Sequence, residues 1–504
     1  MNVDPQDLFC KDLQTTPKTE YGKILVTGAS GYIGGRLLPE LVARGYKVRA
    51  MIRGDASVYK KRWPEVEIVE GDALDRDSLE KALENVYAAY YLIHSLYLGH
   101  KRFQDTDIQA AKNFRDVADE KQIKRIIYLG GLGDFKAIHS AHLKNRIEVA
   151  NELGAGKTPV TFLRAAIIIG SGSASYEIIR YLVLRLPFII IPRWATNWCQ
   201  PIAIRDAIKY LVGVLEVPET TNESFDIGGP DILTYEDMLK IFATILNKKV
   251  LFIHIPISYI RLFSYTASLF TPVPAQITRC LIEGLKDEVI CCDHNKINKY
   301  INFEPLTYKT AVVKALTREE QDKIHTRWSD AYPPAYKLAI KLHEIESGPT
   351  YKSEYTIISK KTSRSLFNSF CLVGGKTGWF NANWMWRTRG LIDRLFLGVG
   401  TVRGRKTYSN LEVNDVIDFW RVEDIKKDSR LLLRAEMKMP GKAWLEFTIS
   451  KKEPGNQLTI TAHYSTFSLL GKLYWYFFLP FHHFIFADLI EQIEKRATIS
   501  NSSK

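Results

Sequence analysis

Three glycines at a fixed interval carry the strongest chemical signal in this sequence. TGASGYIGG places Gly28, Gly31 and Gly34 as G-x-x-G-x-x-G, directly after the apolar run KILVT and at the start of a stretch with helical spacing. In that setting one glycine permits a tight turn, one lets backbone approach a pyrophosphate, and one lets the helix pack closely on a sheet. The helix N-terminus then offers N–H groups and the positive end of its dipole to the phosphates. The chemistry implied is dinucleotide binding. The end of the next strand selects the dinucleotide, because an acid there grips the ribose 2′-hydroxyl of NAD whereas an arginine accommodates the 2′-phosphate of NADP. KVRAMIR ends on Arg53, with no acid before Asp55. The planar fork of a guanidinium suits a phosphate, so NADP is the expected cofactor, with NAD left open. Asp72, at the end of the third apolar run, is placed to accept a hydrogen bond from the adenine amino group.

Other reactive residues form no comparable pattern. His482 and His483 have no metal-ligand spacing to cysteines or carboxylates, and no metal is expected. The six cysteines contain no CxxC pair, and the adjacent Cys291 and Cys292 make a poor structural bridge, which fits a reducing compartment. No recognisable nucleic-acid module is present, so no nucleic-acid partner is expected.

The elements that must position the glycine loop follow from hydrophobic period. KILVTG, KVRAMIR, VEIVEGD, AAYYLIHS, KRIIYLGG and TFLRAAIIIG read as six buried strands. Between them Ile33, Leu37, Leu38, Leu41 and Val42 recur at helical spacing until Gly45, and DSLEKALEN and the region from Asp107 to Glu120 read as further helices. Strands alternating with helices give an α/β class, a doubly wound parallel sheet covered on both faces. From Gly170 to Leu316 the pattern loosens into a substrate-covering subdomain. After Tyr351, YTIISKK, DVIDFWRVEDI, RLLLRAEMK, AWLEFTISKK and QLTITAHYSTF alternate partially between turns, and a helical pattern runs from Phe481 to Ala497, the mark of a separate antiparallel α+β domain. The expected organisation is a flexible tail at 1–20, the nucleotide-binding domain with its subdomain at 21–316, a connector at 317–350 and the C-terminal domain at 351–504.

Composition bounds the partners. With 46% hydrophobic and 25% charged residues the chain is an ordinary globular protein. Its net charge of +13 sits mostly at the C-terminal end, where Tyr351 to Lys504 hold 24 Lys and Arg against 14 Asp and Glu. No window reaches the ~18 uninterrupted apolar residues of a spanning helix. The nearest, YLVLRLPFIIIP and LYWYFFLPFHHFIF, are short and interrupted, and read as buried or interfacial segments. The N-terminus lacks a secretory pattern. A cytoplasmic protein is expected, with peripheral membrane contact left open.

At this level the sequence becomes specific. VTGASGYIGGRLLPELVARGYKVRAMIR, EGDALDRDSLEKAL, FLRAAIIIGSGS, QPIAIRD and DIGGPDILTYEDML resemble the atypical extended short-chain dehydrogenase/reductases, in their NmrA-like and complex-I-accessory-subunit-like branch. The resemblance implies a Rossmann fold with NAD(P) over the C-terminal strand ends. It implies cofactor contacts from Gly28, Ser30, Gly31, Tyr32, Ile33, Arg53, Asp72 and Ala73 beside Gly34 of the loop, with His94 and Ser95 near the nicotinamide ribose. Typical members carry Tyr-x-x-x-Lys one helix after the fifth strand. Here the matching spacing falls on His142 and Arg146, a departure from the family. Histidine suits acid/base work near neutral pH and Arg146 supplies the cation, so these two are the expected catalytic pair.

DVIDFWRVEDI, LLLRAEMKMPGKAWLEFTI and LLGKLYWYFFLPFHHFIFADLIEQI resemble a conserved domain of unknown function that follows reductases of this type. Its strands and terminal helix are similar to the START-like helix-grip fold, which implies an apolar cavity, with Trp379, Trp384, Trp386, Trp420, Trp444 and Trp475 as lining or as core. The leading expectation is an NADP(H)-dependent oxidoreductase acting on a small apolar carbonyl, enone or quinone-like substrate. Two readings stay open beside it: a non-catalytic NADP-binding redox sensor or scaffold, and a lipid- or quinone-binding protein.

Overall fold

The apolar runs that alternate with helices in the sequence become, in the computed structural model, a seven-stranded parallel sheet. The structure describes residues 8–53, 56–94, 103–133, 140–257, 259–320, 326–331, 342, 350–375, 377–396, 398–401, 403–405 and 411–497. The chain divides into two units, one of Met1–Ala267 with Ala275–Leu338 and one of Ser268–Pro274 with Ala339–Lys504.

In the first unit the strands are β1 (Lys23–Val26), β2 (Val48–Ile52), β3 (Glu67–Glu70), β4 (Val86–Tyr91), β5 (Arg125–Gly131) and β6 (Val160–Ala165). Four short strands, β7 (Ile168–Ile169), β8 (Phe188–Pro192), β9 (Trp198–Cys199) and β10 (Ile202–Ala203), precede β11 (Ser224–Ile227), which returns to the sheet. The order is β11-β6-β5-β4-β1-β2-β3 with every neighbouring pair parallel. Successive side chains of a strand face opposite sides, and β1 shows the consequence. Ile24 and Val26 join one core with Leu37 and Leu41 of the helix Gly34–Ala43, while Leu25 joins the other with Phe114 of the helix Phe103–Glu120. Burial on both faces is why these strands read as unbroken apolar runs. Chain build-up reverses direction between β1 and β4, which opens a crevice at their carboxyl ends.

Three expectations about this unit change. The sixth apolar run is not one strand: β6 stops at Ala165, and Ile168–Ile169 pairs with β10, leaving Ala166 and Ile167 to face the crevice. The segment expected to be a flexible tail is packed from Leu8 on. Phe9, Cys10 and Leu13 are buried, and the buried Glu40 carboxylate accepts the backbone N–H groups of Phe9 at 2.6 Å and Cys10 at 3.0 Å. Two or three apolar residues suffice when a buried carboxylate satisfies their backbone. The connector expected at 317–350 begins inside the helix Tyr308–Glu320, and residues 326–331 return to the glycine loop. There Thr326 Oγ1 donates to the Tyr32 carbonyl at 2.9 Å, Arg36 Nη1 donates to the Thr326 carbonyl at 2.8 Å, and Trp328 N donates to the Gly172 carbonyl at 2.8 Å.

A second core covers the crevice. Tyr176, Ile179 and Val183 of the helix Ala174–Arg185 pack with Met238 and Phe242 of the helix Tyr235–Ile245 and with Val312. β12 (Leu233–Thr234) pairs with β9, and β13 (Leu251–Ile255) with β8. The apolar stretch YLVLRLPFIIIP is thereby split between a helix and β8, whose Ile189 and Ile191 are buried while Phe188 and Ile190 are exposed.

In the second unit β14 (Thr350–Ser359), β15 (Val416–Ile417), β16 (Trp420–Lys426), β17 (Arg430–Ala435), β18 (Lys442–Lys452) and β19 (Gly455–Ser465) form an antiparallel sheet ordered β14-β19-β18-β17-β16-β15. The helices Ser363–Phe370 and Asn383–Leu395 lie between the first two strands in sequence, and the helix Leu469–Arg496 follows the last. First strand beside last strand, with a long terminal helix, is the helix-grip arrangement. The terminal helix starts at Leu469 rather than Phe481, because Ser468 Oγ caps it by accepting Gly471 N at 3.0 Å. Of the six tryptophans, Trp379, Trp386, Trp420, Trp444 and Trp475 are buried and Trp384 is exposed. Trp379 stacks on Trp386 at 4.4 Å, Trp420 stands 6.2 Å from Trp386, and Trp475 stacks on Tyr464 at 5.5 Å. Their rings pack on protein aromatics, and Trp384 stands outside the core.

Candidate active site

The crevice at the strand ends holds a cavity of about 400 Å³, within the range of small-molecule sites. Its floor is the glycine loop. Gly28 lies in the left-handed region at φ 63°, and a Cβ there would stand 2.4 Å from the Leu92 carbonyl oxygen of the strand β4 end. A Cβ on Gly34 would stand 2.5 Å from the Gly28 carbonyl, so only glycine lets the helix begin this close to the loop. Among the described residues no side chain caps the helix Gly34–Ala43, and no acid lies in its first turn. Its N-terminus is therefore free to meet an anion. Thr27 fixes the loop to β4, with Oγ1 donating to the Tyr90 carbonyl at 2.9 Å and accepting Leu92 N at 3.1 Å.

Gly28, Ser30, Gly31, Tyr32, Ile33, Gly34, Arg53, Asp72, Ala73, His94, His142 and Arg146 all line this cavity; Ser95 lies outside the described residues. Arg53 follows β2 and is exposed. Asp72 Oδ1 accepts Leu74 N at 3.0 Å, and its own N–H donates to Ser78 Oγ at 3.0 Å, which holds the loop after β3 open over the crevice. Ser140 starts the helix Ala141–Gly154, its Oγ accepting from Leu143 N, and Ser140 N donates to Asp287 Oδ2 at 3.0 Å. The covering lobe thus anchors the helix that carries His142 and Arg146, which share a face at i, i+4 spacing.

At the polar end of the cavity His94 and His142 are backed by a buried hydrogen-bonded pair, Asp107 and Asn145, that no sequence motif announces. His94 Nδ1 meets Asp107 Oδ2 at 3.2 Å, Asn145 Nδ2 donates to the same oxygen at 3.1 Å, and the His94 and His142 rings are 5.1 Å apart. Burial, reinforced by the Arg146 charge, pushes His94 down to about 4 despite the Asp107 bond. His94 is neutral at pH 7. With Nδ1–H donated to Asp107, its Nε2 carries the lone pair, and this buried atom has no hydrogen-bond partner among the described residues. Arg146 Nη1 donates to Tyr128 Oη at 3.3 Å. The other wall is apolar, built by Ile167, Leu143, Ile277, Leu281, Leu285 and Val289.

Asp107 and Asn145 left a readable trace. Asp107 stands one turn before the buried Ala110 and Ala111 and two before Phe114, and Asn145 stands one turn before Val149 and two before Leu153. A polar residue on an apolar helical stripe is a buried group that requires a partner. Trp328 left none, because a single tryptophan in a connector has no period.

The residues present fit a dinucleotide: a glycine loop shaped by a left-handed turn, an uncapped helix N-terminus, an arginine after β2 and an orphaned imidazole nitrogen at the β4 end. The fold and this loop define an NAD(P)-binding Rossmann protein of the extended short-chain dehydrogenase/reductase type. Residues 20–283, more than half of the chain, match the NmrA-like family, and the chain belongs to it. Residues 346–489 match a family described as a protein of unknown function, DUF2867. The chain is 31% identical over 112 residues to sterol demethylase protein B of Methylococcus capsulatus, covering 22% of this chain and 34% of that protein. It is 23% identical over 252 residues to the chloroplastic divinyl chlorophyllide a 8-vinyl-reductase of Arabidopsis thaliana, covering 46% and 60%. The solved structure of Citrobacter sp. triphenylmethane reductase complexed with NADP(H) is similar at 20% identity and TM-score 0.48, covering 58% of this chain and 99% of that one. The chain spans about a third to three-fifths of the length of these curated relatives.

Proposed function

We propose that this protein is an NADP(H)-dependent reductase of a small apolar carbonyl, enone or quinone-like substrate. One observation carries the reading: the glycine loop, His94, the His142–Arg146 pair and an apolar wall all line one cavity at the strand ends, with Asp107 bonded to His94 behind it. The vinyl-reductase named among the relatives supports the reaction class. When bound, the nicotinamide supplies the hydride.

The chain's residues do the rest. Gly28 to Gly34 and the helix N-terminus receive the pyrophosphate, and Arg53 meets the 2′-phosphate. His142 delivers the proton to the substrate oxygen or carbon that gains negative charge, and recovers it from solvent. Arg146, whose guanidinium donates to Tyr128, orients the substrate and balances charge. His94, fixed in one tautomer by Asp107, accepts a hydrogen bond at Nε2 from a ribose hydroxyl or from His142. The apolar wall holds the substrate and excludes water.

The test follows NADPH absorbance across a panel of apolar enones, quinones and ketones, with NADPH affinity measured in parallel. His142→Ala is expected to lower kcat by about 10²–10⁴-fold, the usual worth of a general acid, with NADPH affinity retained. Wild-type turnover in that variant would remove His142 from the chemistry. The replacement of the family tyrosine by His142 favours a second reading, a nucleotide-binding redox sensor. Tight NADPH binding without turnover of any panel member would select it.

A further inference from the structure

The C-terminal unit carries an apolar stripe that its own fold leaves uncovered. On the first turns of the Leu469–Arg496 helix, Leu470, Leu473, Tyr476, Phe477, Phe481 and Phe484 recur at three- and four-residue spacing and are 72, 59, 61, 67, 42 and 70% exposed. The opposite face is used: Trp475 and Phe486 are buried against Tyr464 and Tyr355. A soluble protein seldom leaves a contiguous row of large side chains in water without a use for it.

A second exposed row, Trp384, Leu391 and Phe396 at 66, 58 and 70%, belongs to the helix Asn383–Leu395 and its end. The segment Lys438–Pro440 ties both helices together at one side of the unit. Arg389 Nη2 donates to the Lys438 carbonyl at 2.9 Å, Lys438 N donates to Asp393 Oδ1 at 2.6 Å, and Thr466 Oγ1, just before the terminal helix, donates to the Pro440 carbonyl at 2.8 Å. Arg389 Nε also reaches Tyr474 Oη at 3.3 Å.

Charge identifies what covers these rows. No Asp or Glu occurs between Glu453 and Asp488, whereas Arg387, Lys438 and Lys472 are exposed. The C-terminal region from Tyr351 carries +10 of the chain's +13. Protein–protein interfaces carry a mixed polar rim. Exposed cations on the two helices that carry the aromatic rows, and on the segment that ties them, instead match anionic lipid headgroups, with the rings at the headgroup boundary. Among the described residues no helix is long and apolar enough to cross a membrane, and the far half of the terminal helix is committed to the core through Leu489, Ile490 and Ile493.

We propose that the C-terminal unit docks on the surface of an anionic bilayer, laying Phe477, Phe481 and Phe484 into the headgroup boundary with Arg387, Lys438 and Lys472 against the lipid phosphates. The test is flotation of the full chain with phosphatidylcholine vesicles containing roughly one-third phosphatidylglycerol, beside vesicles of phosphatidylcholine alone. Wild type is expected to float with the anionic vesicles and less with the neutral ones. Phe477→Ser/Phe484→Ser is expected to lower the partition constant about 10²-fold, from the lost apolar burial of two phenylalanines. Both positions are exposed, so circular dichroism and the melting temperature of the variant should match wild type. Wild type that stays with unbound protein, or a variant that floats equally well, overturns the proposal. A dimer in the absence of lipid that the variant dissociates, with no flotation of either, overturns it in favour of a second copy as the occupant.

Discussion

The neutrality of His94 can be tested through stability, without a substrate. In the folded protein burial and the Arg146 charge hold this imidazole at about 4, against about 6.5 for an unfolded histidine. Between those values the unfolded chain binds more protons than the folded one, so stability is lost as pH falls from 6.5 towards 4. The full difference is worth roughly 3 kcal/mol, of which about 1.8 falls between pH 7 and pH 5. His94→Asn removes the titration and keeps a side chain able to donate to Asp107. Its constant cost, from a poorer bond to a buried carboxylate, is about 1–3 kcal/mol at any pH. The observable is therefore the change in the gap between variant and wild type. In urea titrations at pH 7 and pH 5, following the transition that abolishes NADPH binding, the gap should narrow by nearly 2 kcal/mol at the lower pH. His482 in the other unit is also held at about 4 by burial, but it is present in both proteins and cancels. A gap that stays constant within about 0.5 kcal/mol would show that His94 titrates normally, and would refute the neutral acceptor at the β4 end.

Other outcomes follow from the same geometry. Arg53→Ala should weaken NADPH about five- to tenfold and leave NADH unchanged, because the contact is charge-assisted but solvent-exposed; equal losses for both nucleotides would argue against a 2′-phosphate contact. Gly34→Ala should abolish measurable binding of either nucleotide, since its Cβ would stand 2.5 Å from the Gly28 carbonyl, and calorimetric titration checks it. Asp107→Asn should lower kcat and shift the acid limb of the kcat/KM profile with little change in KM, the pattern of a residue that positions another; a pure KM effect would contradict that role.

Most of the first unit's scaffold was legible because it rests on period. Buried parallel strands read as apolar runs, and the glycine spacing announced the turn after β1. What escaped was non-periodic. Phe9 and Cys10 are held by Glu40, some thirty residues away in sequence, and nothing local signals those bonds. The return of Thr326 and Trp328 to the glycine loop joins residues separated by nearly the whole unit. The terminal helix was read from Phe481 because its buried stripe begins near there, while the preceding turns turn their apolar side chains outward. Hydrophobic period marks an apolar face and does not say what covers it.

The same distinction applies at the site. The family resemblance sets His142 and Arg146 at the Tyr-x-x-x-Lys positions, but spacing alone leaves open what such a replacement does. A phenol needs a nearby lysine to bring its proton within reach of neutral pH, whereas an imidazole works there unaided. On the proposed reading the cation one turn later is released from tuning the acid and retained for orientation, which suits an arginine whose Nη1 is tied to Tyr128. A proton-donating histidine also requires a neighbour that does not compete for the proton. His94 meets that requirement: 5.1 Å from His142, held neutral by burial, with its one lone pair presented by the Asp107 bond. On the proposed reading Asp107 and His142 act on the same proton, and the two substitutions Asp107→Asn and His142→Ala should show less than additive losses in kcat, as residues acting on one proton do.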